Sequence, residues 1–142
     1  MKITPSITVS FNGNCDEAMA FYEQHLGGKR RMTMTWAGSP MAKDAPPGWG
    51  DKVLYAEIIV GGVELAGGDM SPEQYKAPSG IGIMLRISDI ADAERVFKEL
   101  SNGGKIDMPF SETFWALRYG SVTDKFGVPW HVNCPKPDFP VA

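Results

Sequence analysis

His131 stands in the run Val128-Pro129-Trp130-His131-Val132. An imidazole there can exchange a proton near neutral pH, hold a ligand or coordinate a metal, or it can simply be hydrogen-bonded into a cleft wall. Arg86 interrupts the apolar stretch Ile81 to Ile87. A guanidinium in such a run must meet a carboxylate, reach solvent or hold an anion, and Glu57 and Glu64 are the candidate structural partners. Trp115 and Tyr119 are flat aromatics suited to gripping a planar ligand at a cleft mouth, or to core or dimer packing. Met32, Met34 and Trp36 alternate along one segment and would give an adaptable apolar wall or an ordinary core stripe. Cys15 opens a helical segment, where the dipole favours thiolate, although a structural cysteine fits as well. Cys134 precedes a proline-rich tail and carries no chemistry of its own. His25 suits a helix C-terminus.

The elements that must position these residues repeat. Ile7-Thr8-Val9-Ser10-Phe11 alternates with the period of a half-buried strand. Asn14 followed by Glu17 reads as a capping box, and Ala18, Phe21, Tyr22 and Leu26 form one helical face that Gly27-Gly28 closes. Lys29 to Trp36 and Lys52 to Val60 read as extended, and Gly61-Gly62 turns into a strand at Val63–Ala66. The second half has the same grammar. A strand from Ile81 to Ile87 leads to Asp89, which can cap a helix carrying Ala93, Val96, Phe97 and Leu100. After Asn102-Gly103-Gly104, strands follow at Lys105 to Phe110, Leu117 to Thr123 and Val128 to Asn133, with Phe126-Gly127 matching Gly61-Gly62.

Each half is therefore βαβββ, too little to stand alone. The 142 residues read as one α+β domain with a module at 1–68, a connecting segment at 69–79, a module at 80–134 and a tail at 135–142. Strand parity turns Ile7, Val9 and Phe11 to the helix. It turns Ser6, Thr8 and Ser10, with Gly82, Met84 and Arg86, to the opposite cleft face. The segment from Ala37 to Asp51, with Pro40, Pro46 and Pro47, is long enough for a lid, with Trp49 as its contact or anchor.

Composition narrows the function classes. Fourteen Lys plus Arg against seventeen Asp plus Glu give −3, without the basic surplus of a nonspecific nucleic-acid binder. No apolar stretch approaches a membrane span and no apolar leader follows Met1. The expectation is a soluble, cytoplasmic protein with its two cysteines reduced, and neither nucleic acid nor membrane as partner. Phosphate-cradling, paired-cysteine, metalloprotease-helix and nucleophile-elbow motifs do not occur.

Tandem βαβββ modules resemble the plan of the vicinal-oxygen-chelate superfamily, which includes glyoxalase I, extradiol dioxygenases and bleomycin-resistance proteins. Three blocks are similar to its PhnB-like branch: Phe11-Asn12-Gly13-Asn14-Cys15 with Ala20-Phe21-Tyr22, Thr113-Phe114-Trp115, and Thr123-Asp124-Lys125-Phe126-Gly127-Val128-Pro129-Trp130. The resemblance implies a curved mixed sheet with helices on its outer face. It also implies metal ligands, in the metal-dependent members, at equivalent positions of the two modules. Matching the repeats puts those positions at Ser6 (or Ile7), Ala66, Gly82 and His131, of which His131 alone is a competent ligand. Glu64, two residues from Ala66, does not complete a set of three.

The expectation is thus a metal-free, cofactor-free binder of an amphipathic organic molecule, with Ser10, Trp36, Glu57, Glu64, Arg86, Trp115, Tyr119 and His131 around the ligand. The alternative is a lyase or isomerase, glyoxalase-like, using His131 with Glu57 or Glu64 as acid and base. The methyltransferase label sometimes given to PhnB-like sequences is rejected, since no glycine-rich strand-to-helix turn or alternating α/β pattern is present. A homodimer is expected, through the first strand or the segment from Thr113 to Tyr119.

Overall fold

The computed structural model describes residues 1–139, so the last three residues of the expected tail lie outside the described ones. The chain forms two compact units, Met1–Ala77 and one that begins at Pro78. In the first, the order is β1 (Ile7–Phe11), α1 (Cys15–Leu26), β2 (Lys29–Thr35), β3 (Val53–Val60) and β4 (Val63–Asp69), with a 3-10 turn at Ala42–Asp44 between β2 and β3. In the second it is β5 (Ile83–Arg86), α2 (Ile90–Ser101), β6 (Lys105–Ser111), β7 (Ala116–Thr123) and β8 (Pro129–Pro135). Each unit hydrogen-bonds its own four-stranded sheet, in the orders β1-β4-β3-β2 and β5-β8-β7-β6. In both, the first strand pairs parallel to the last and the remaining pairs are antiparallel. The repeat read from the sequence is therefore the fold.

The helix-facing parity of β1 is as expected, with Val9 and Phe11 buried and Thr8 exposed. In α1 the buried face is Cys15, Ala18, Met19 and Tyr22, rotated slightly from the expected one, so that Phe21 and Leu26 sit at its rim. Phe21 packs there on His25, ring centroids 4.4 Å apart. In α2 the buried residues are the expected Ala93, Val96, Phe97 and Leu100.

The two helices start differently. Asp89 caps α2 by accepting from the Asp92 amide at 2.9 Å, as the sequence indicated. The Asn14 side chain makes no capping bond to α1. Asp69 replaces it from fifty-four residues away. One carboxylate oxygen accepts from the Cys15 amide and the other from the Val53 amide, both at 2.9 Å. A buried anion is tolerated because it satisfies two otherwise orphaned donors and sits at the positive end of the helix.

β4 consequently runs three residues beyond the expected Ala66. Gly67 and Gly68, which look like a break, are the part of the strand that others approach most closely. A Cβ on Gly67 would crowd the Val9 carbonyl and the Phe11 ring, and one on Gly68 the Leu54 carbonyl. Gly61 and Gly62 have φ of 56° and 84°, the backbone a tight hairpin turn demands. β5 begins two residues later than expected, at Ile83, leaving Ile81 71% exposed.

In the second unit a buried carboxylate ties the turn between β7 and β8. Asp124 accepts from the amides of Phe126 and Val128 at 2.9 Å and from Trp130 Nε1 at 2.8 Å. Trp130 is fully buried, so its indole N–H has no water to turn to. Asp124→Ala should lower the unfolding free energy by about 3–5 kcal/mol, the cost of orphaning three donors of a charged acceptor, while Asp124→Asn should lose less because one acceptor oxygen survives. Urea denaturation followed at the tryptophans measures both.

Candidate functional site

Register decides which side chains share the helix-free face of each sheet. In the first unit Thr8 and Glu57 flank Ala66 on either side, and Ser10 pairs with Gly68. Across β2 and β3, Met32 pairs with Glu57 and Met34 with Tyr55, so both methionines share that face. A cavity of about 680 Å³ opens here. Its walls come from Thr8 and Ser10 of β1, Leu54 and Tyr55 of β3, Gly68 of β4, Trp36 just past β2, and Asp44, Pro46 and Trp49 of the long loop. Ser71, Glu73 and Gln74 close another side.

Ser10 and Trp36 thus line one cavity, and the loop from Ala37 to Asp51 forms part of its wall. It is built in by backbone bonds, Trp36 N to Lys52 O at 3.0 Å and Ala37 N to Gly50 O at 2.9 Å, which hold its two ends together. The Trp36 indole nitrogen is buried with no hydrogen-bond partner. An N–H in that position is a donor that the protein leaves unused.

Glu57 and Glu64 do not line this cavity, and each is engaged within its own sheet. Glu57 accepts from the Tyr55 hydroxyl at 2.8 Å, and that bond heads the causes that push the Tyr55 phenol above its ordinary pKa. Glu64 pairs with Arg31 at 3.3 Å. The two carboxylates expected near Arg86 thus have partners in their own sheet, Tyr55 and Arg31, and Arg86 is an exposed residue at the end of β5. Tyr55 was missed at the sequence level, although it shares the parity of Glu57 two residues away.

In the second unit, two rows cross the sheet. Met84, His131, Ser121 and Met108 are successive neighbours in one, and Arg86, Asn133, Tyr119 and Ser111 in the next. The rows are tied together where the Tyr119 hydroxyl meets His131 Nδ1 at 2.7 Å. Trp115 packs edge-on against Tyr119 at 5.4 Å and against Phe114 at 4.7 Å, so it buttresses the phenol. Ser121, at 8% exposure, and Asn133, whose Oδ1 is buried without a partner, are polar groups the sequence did not single out. Neither type is unusual in a strand, so only register reveals them.

The four expected metal-ligand positions can now be tested. Ser6 precedes β1, Ala66 has no donor, and its sheet neighbours are Thr8 and Glu57. At Gly82 an added Cβ would come within 2.5 Å of His131 Nε2 and closer still to Cδ2, so the imidazole occupies the space a ligand side chain would need. Among the described residues no three His, Cys, Asp or Glu side chains gather into a group able to hold a metal. The donor set does not fit a catalytic transition metal.

The profile of the Glyoxalase/Bleomycin resistance protein/Dioxygenase superfamily matches residues 6–132. Protein YjdN of Escherichia coli (strain K12) is 33% identical over 144 residues, covering 96% of this chain and 97% of its own. The crystal structure of protein PA1353 from Pseudomonas aeruginosa is similar with a TM-score of 0.84 and 39% identity, over 94% of this chain and 98% of that one. A PhnB protein from Bacillus cereus, whose name includes 3-demethylubiquinone-9 3-methyltransferase, aligns with a TM-score of 0.79 at 20% identity, over 92% and 98% of the two chains, and so shares the fold.

Cys15 is no reactive thiol. Burial first, and the neighbouring Asp69 carboxylate second, push it from 9.0 up to about 12, overriding the helix dipole. Burial also raises the Cys134 thiol. Because folded Cys15 keeps its proton where the unfolded thiol has lost it, stability should be unaffected below about pH 9 and fall as pH rises from 9.0 toward 12. Denaturation midpoints across that range check this, and Cys15→Ala should flatten the slope.

Proposed function

The chain belongs to the Glyoxalase/Bleomycin resistance protein/Dioxygenase superfamily, and on that premise we propose that it is a metal-free binder of an amphipathic organic molecule. The observation that carries this reading is the cavity of about 680 Å³ in the first unit. It falls within the roughly 300–1,000 Å³ of small-molecule sites. Trp36, Trp49 and Tyr55 supply flat apolar walls, while the hydroxyls of Ser10 and Thr8 offer a few polar contacts. Apolar walls with sparse polar groups select a molecule with a planar apolar body and one polar end.

The proposal extends to the assembly. β1 and β2 are the edges of the first sheet and β5 and β6 of the second, and Phe114 is 78% exposed. A homodimer through β1 or the segment from Thr113 to Tyr119 would cover an edge or that ring. We place the protein in the cytoplasm; among the described residues no helix is long and apolar enough to cross a membrane.

A second reading, a lyase or isomerase of glyoxalase-like type, has one observation in its favour. The hydroxyl of Tyr119 orients the His131 imidazole as a proton-transferring group requires. The partner is a phenol, where Glu57 or Glu64 was expected. Methyl transfer is not part of the proposal: β1 enters α1 through Asn12-Gly13-Asn14, and the mixed sheet lacks the glycine-rich parallel turn such enzymes use.

Native mass spectrometry of untagged protein should show a dimer retaining an organic adduct. The amphipathic dye 8-anilinonaphthalene-1-sulfonate should bind saturably and quench tryptophan emission. Trp36→Leu should weaken it roughly tenfold, about 1.4 kcal/mol, without changing the melting temperature by more than a few degrees. Dye binding that is unchanged by both Trp36→Leu and Trp49→Leu would place the site elsewhere and refute the reading.

A further inference from the structure

We infer that the second unit holds a separate pocket for a neutral carbonyl compound, an amide or hydroxyketone, whose oxygen is received by the Nε2–H of His131. The inference rests on the metal-free reading above, since a metal on His131 would occupy the same nitrogen.

The pocket is small, about 330 Å³, and is built wholly from the second unit. Pro129, Val122 and Gly82 supply apolar wall, and His131, Ser121 and Asp107 are its polar groups. A phenol hydroxyl is a better donor than acceptor, which favours donation from Tyr119 to His131 Nδ1, 2.7 Å away. In that tautomer the ring carries its proton on Nε2. That makes His131 a hydrogen-bond donor rather than a base, and Tyr119 a positioning residue that sets the tautomer. Gly82 serves the same end: any side chain there would displace the Cδ2–Nε2 edge of the ring.

Charge selects against an anion. Asp107 is the carboxylate in the lining, holding the Thr123 hydroxyl at 2.7 Å, with Lys105 3.9 Å away and largely in solvent. A carboxylate ligand would meet that charge. A molecule carrying an oxygen acceptor for His131 and an N–H or O–H donor for Asp107 satisfies both.

Acetamide and acetate, of equal size, are the probes. Long-range proton–nitrogen spectra of a His25→Gln protein isolate the His131 ring, which should show its proton on Nε2. Acetamide should shift that resonance and the Gly82 and Ser121 amides saturably at tens of millimolar, with acetate several-fold weaker. His131→Gln, which keeps an N–H donor, should retain the acetamide shifts, and His131→Ala should lose them. Tyr119→Phe should move the ring toward a tautomer mixture and weaken acetamide several-fold. A ring proton on Nδ1 in the parent, acetate binding as strongly as acetamide, or amide shifts undisturbed by His131→Ala would each overturn the assignment. Absence of acetamide binding in protein that also fails to bind zinc would overturn this pocket alone and leave the metal-free reading standing.

Discussion

The edge of the His131 imidazole lies where a side chain on Gly82 would have to be, and the row of polar groups across the second sheet depends on that close approach. Gly82 immediately precedes the first strand of its module and His131 lies in the last, and these strands pair in parallel with Met84 beside His131. Had Gly82 carried a side chain, the ring or the strand would have to shift from the position in which the Tyr119 hydroxyl lies 2.7 Å from Nδ1. Glycine at this place leaves the histidine room to be held by a phenol, and it offers no side-chain donor beside the imidazole.

Each unit is fastened by a buried carboxylate of its own. Asp69 joins the end of β4 to the starts of α1 and β3, and Asp124 organises the turn that delivers β8 and thus Trp130 and His131. Both are acceptors for backbone amides that would otherwise be buried and unpaired. They sit at different places in their modules, so the repeat is one of topology and register while the polar fastenings of each half are its own.

The fold was legible because it is written in short-range patterns. Alternation along β1, the apolar spacing of α2 and the paired glycines after β3 each have one local explanation, and all appear where the pattern puts them. What was not legible depends on contacts distant in sequence. Asn14 looks like a cap until Asp69 arrives from the far end of the module. Gly67 and Gly68 look like a terminator until Phe11 and Leu54 are laid against them. At the site, parity turned Ser10 to the cleft face and residue type singled out Trp36, Tyr119 and His131, but neither says which partner a charge will choose. Arg31 and Tyr55, on the same sheet, took Glu64 and Glu57. Asn133 and Ser121 emerged only from the pairing of β8 with its neighbours.

We propose that the chain keeps the family's fold without its metal site, with Tyr119 positioning the His131 imidazole. Isothermal titration of chelator-treated protein with zinc tests it most directly. A chain without the metal site gives no saturable heat in the micromolar range and an unchanged melting temperature at equal metal and protein concentrations. A stoichiometric site of one zinc per chain, abolished by His131→Ala, would contradict it.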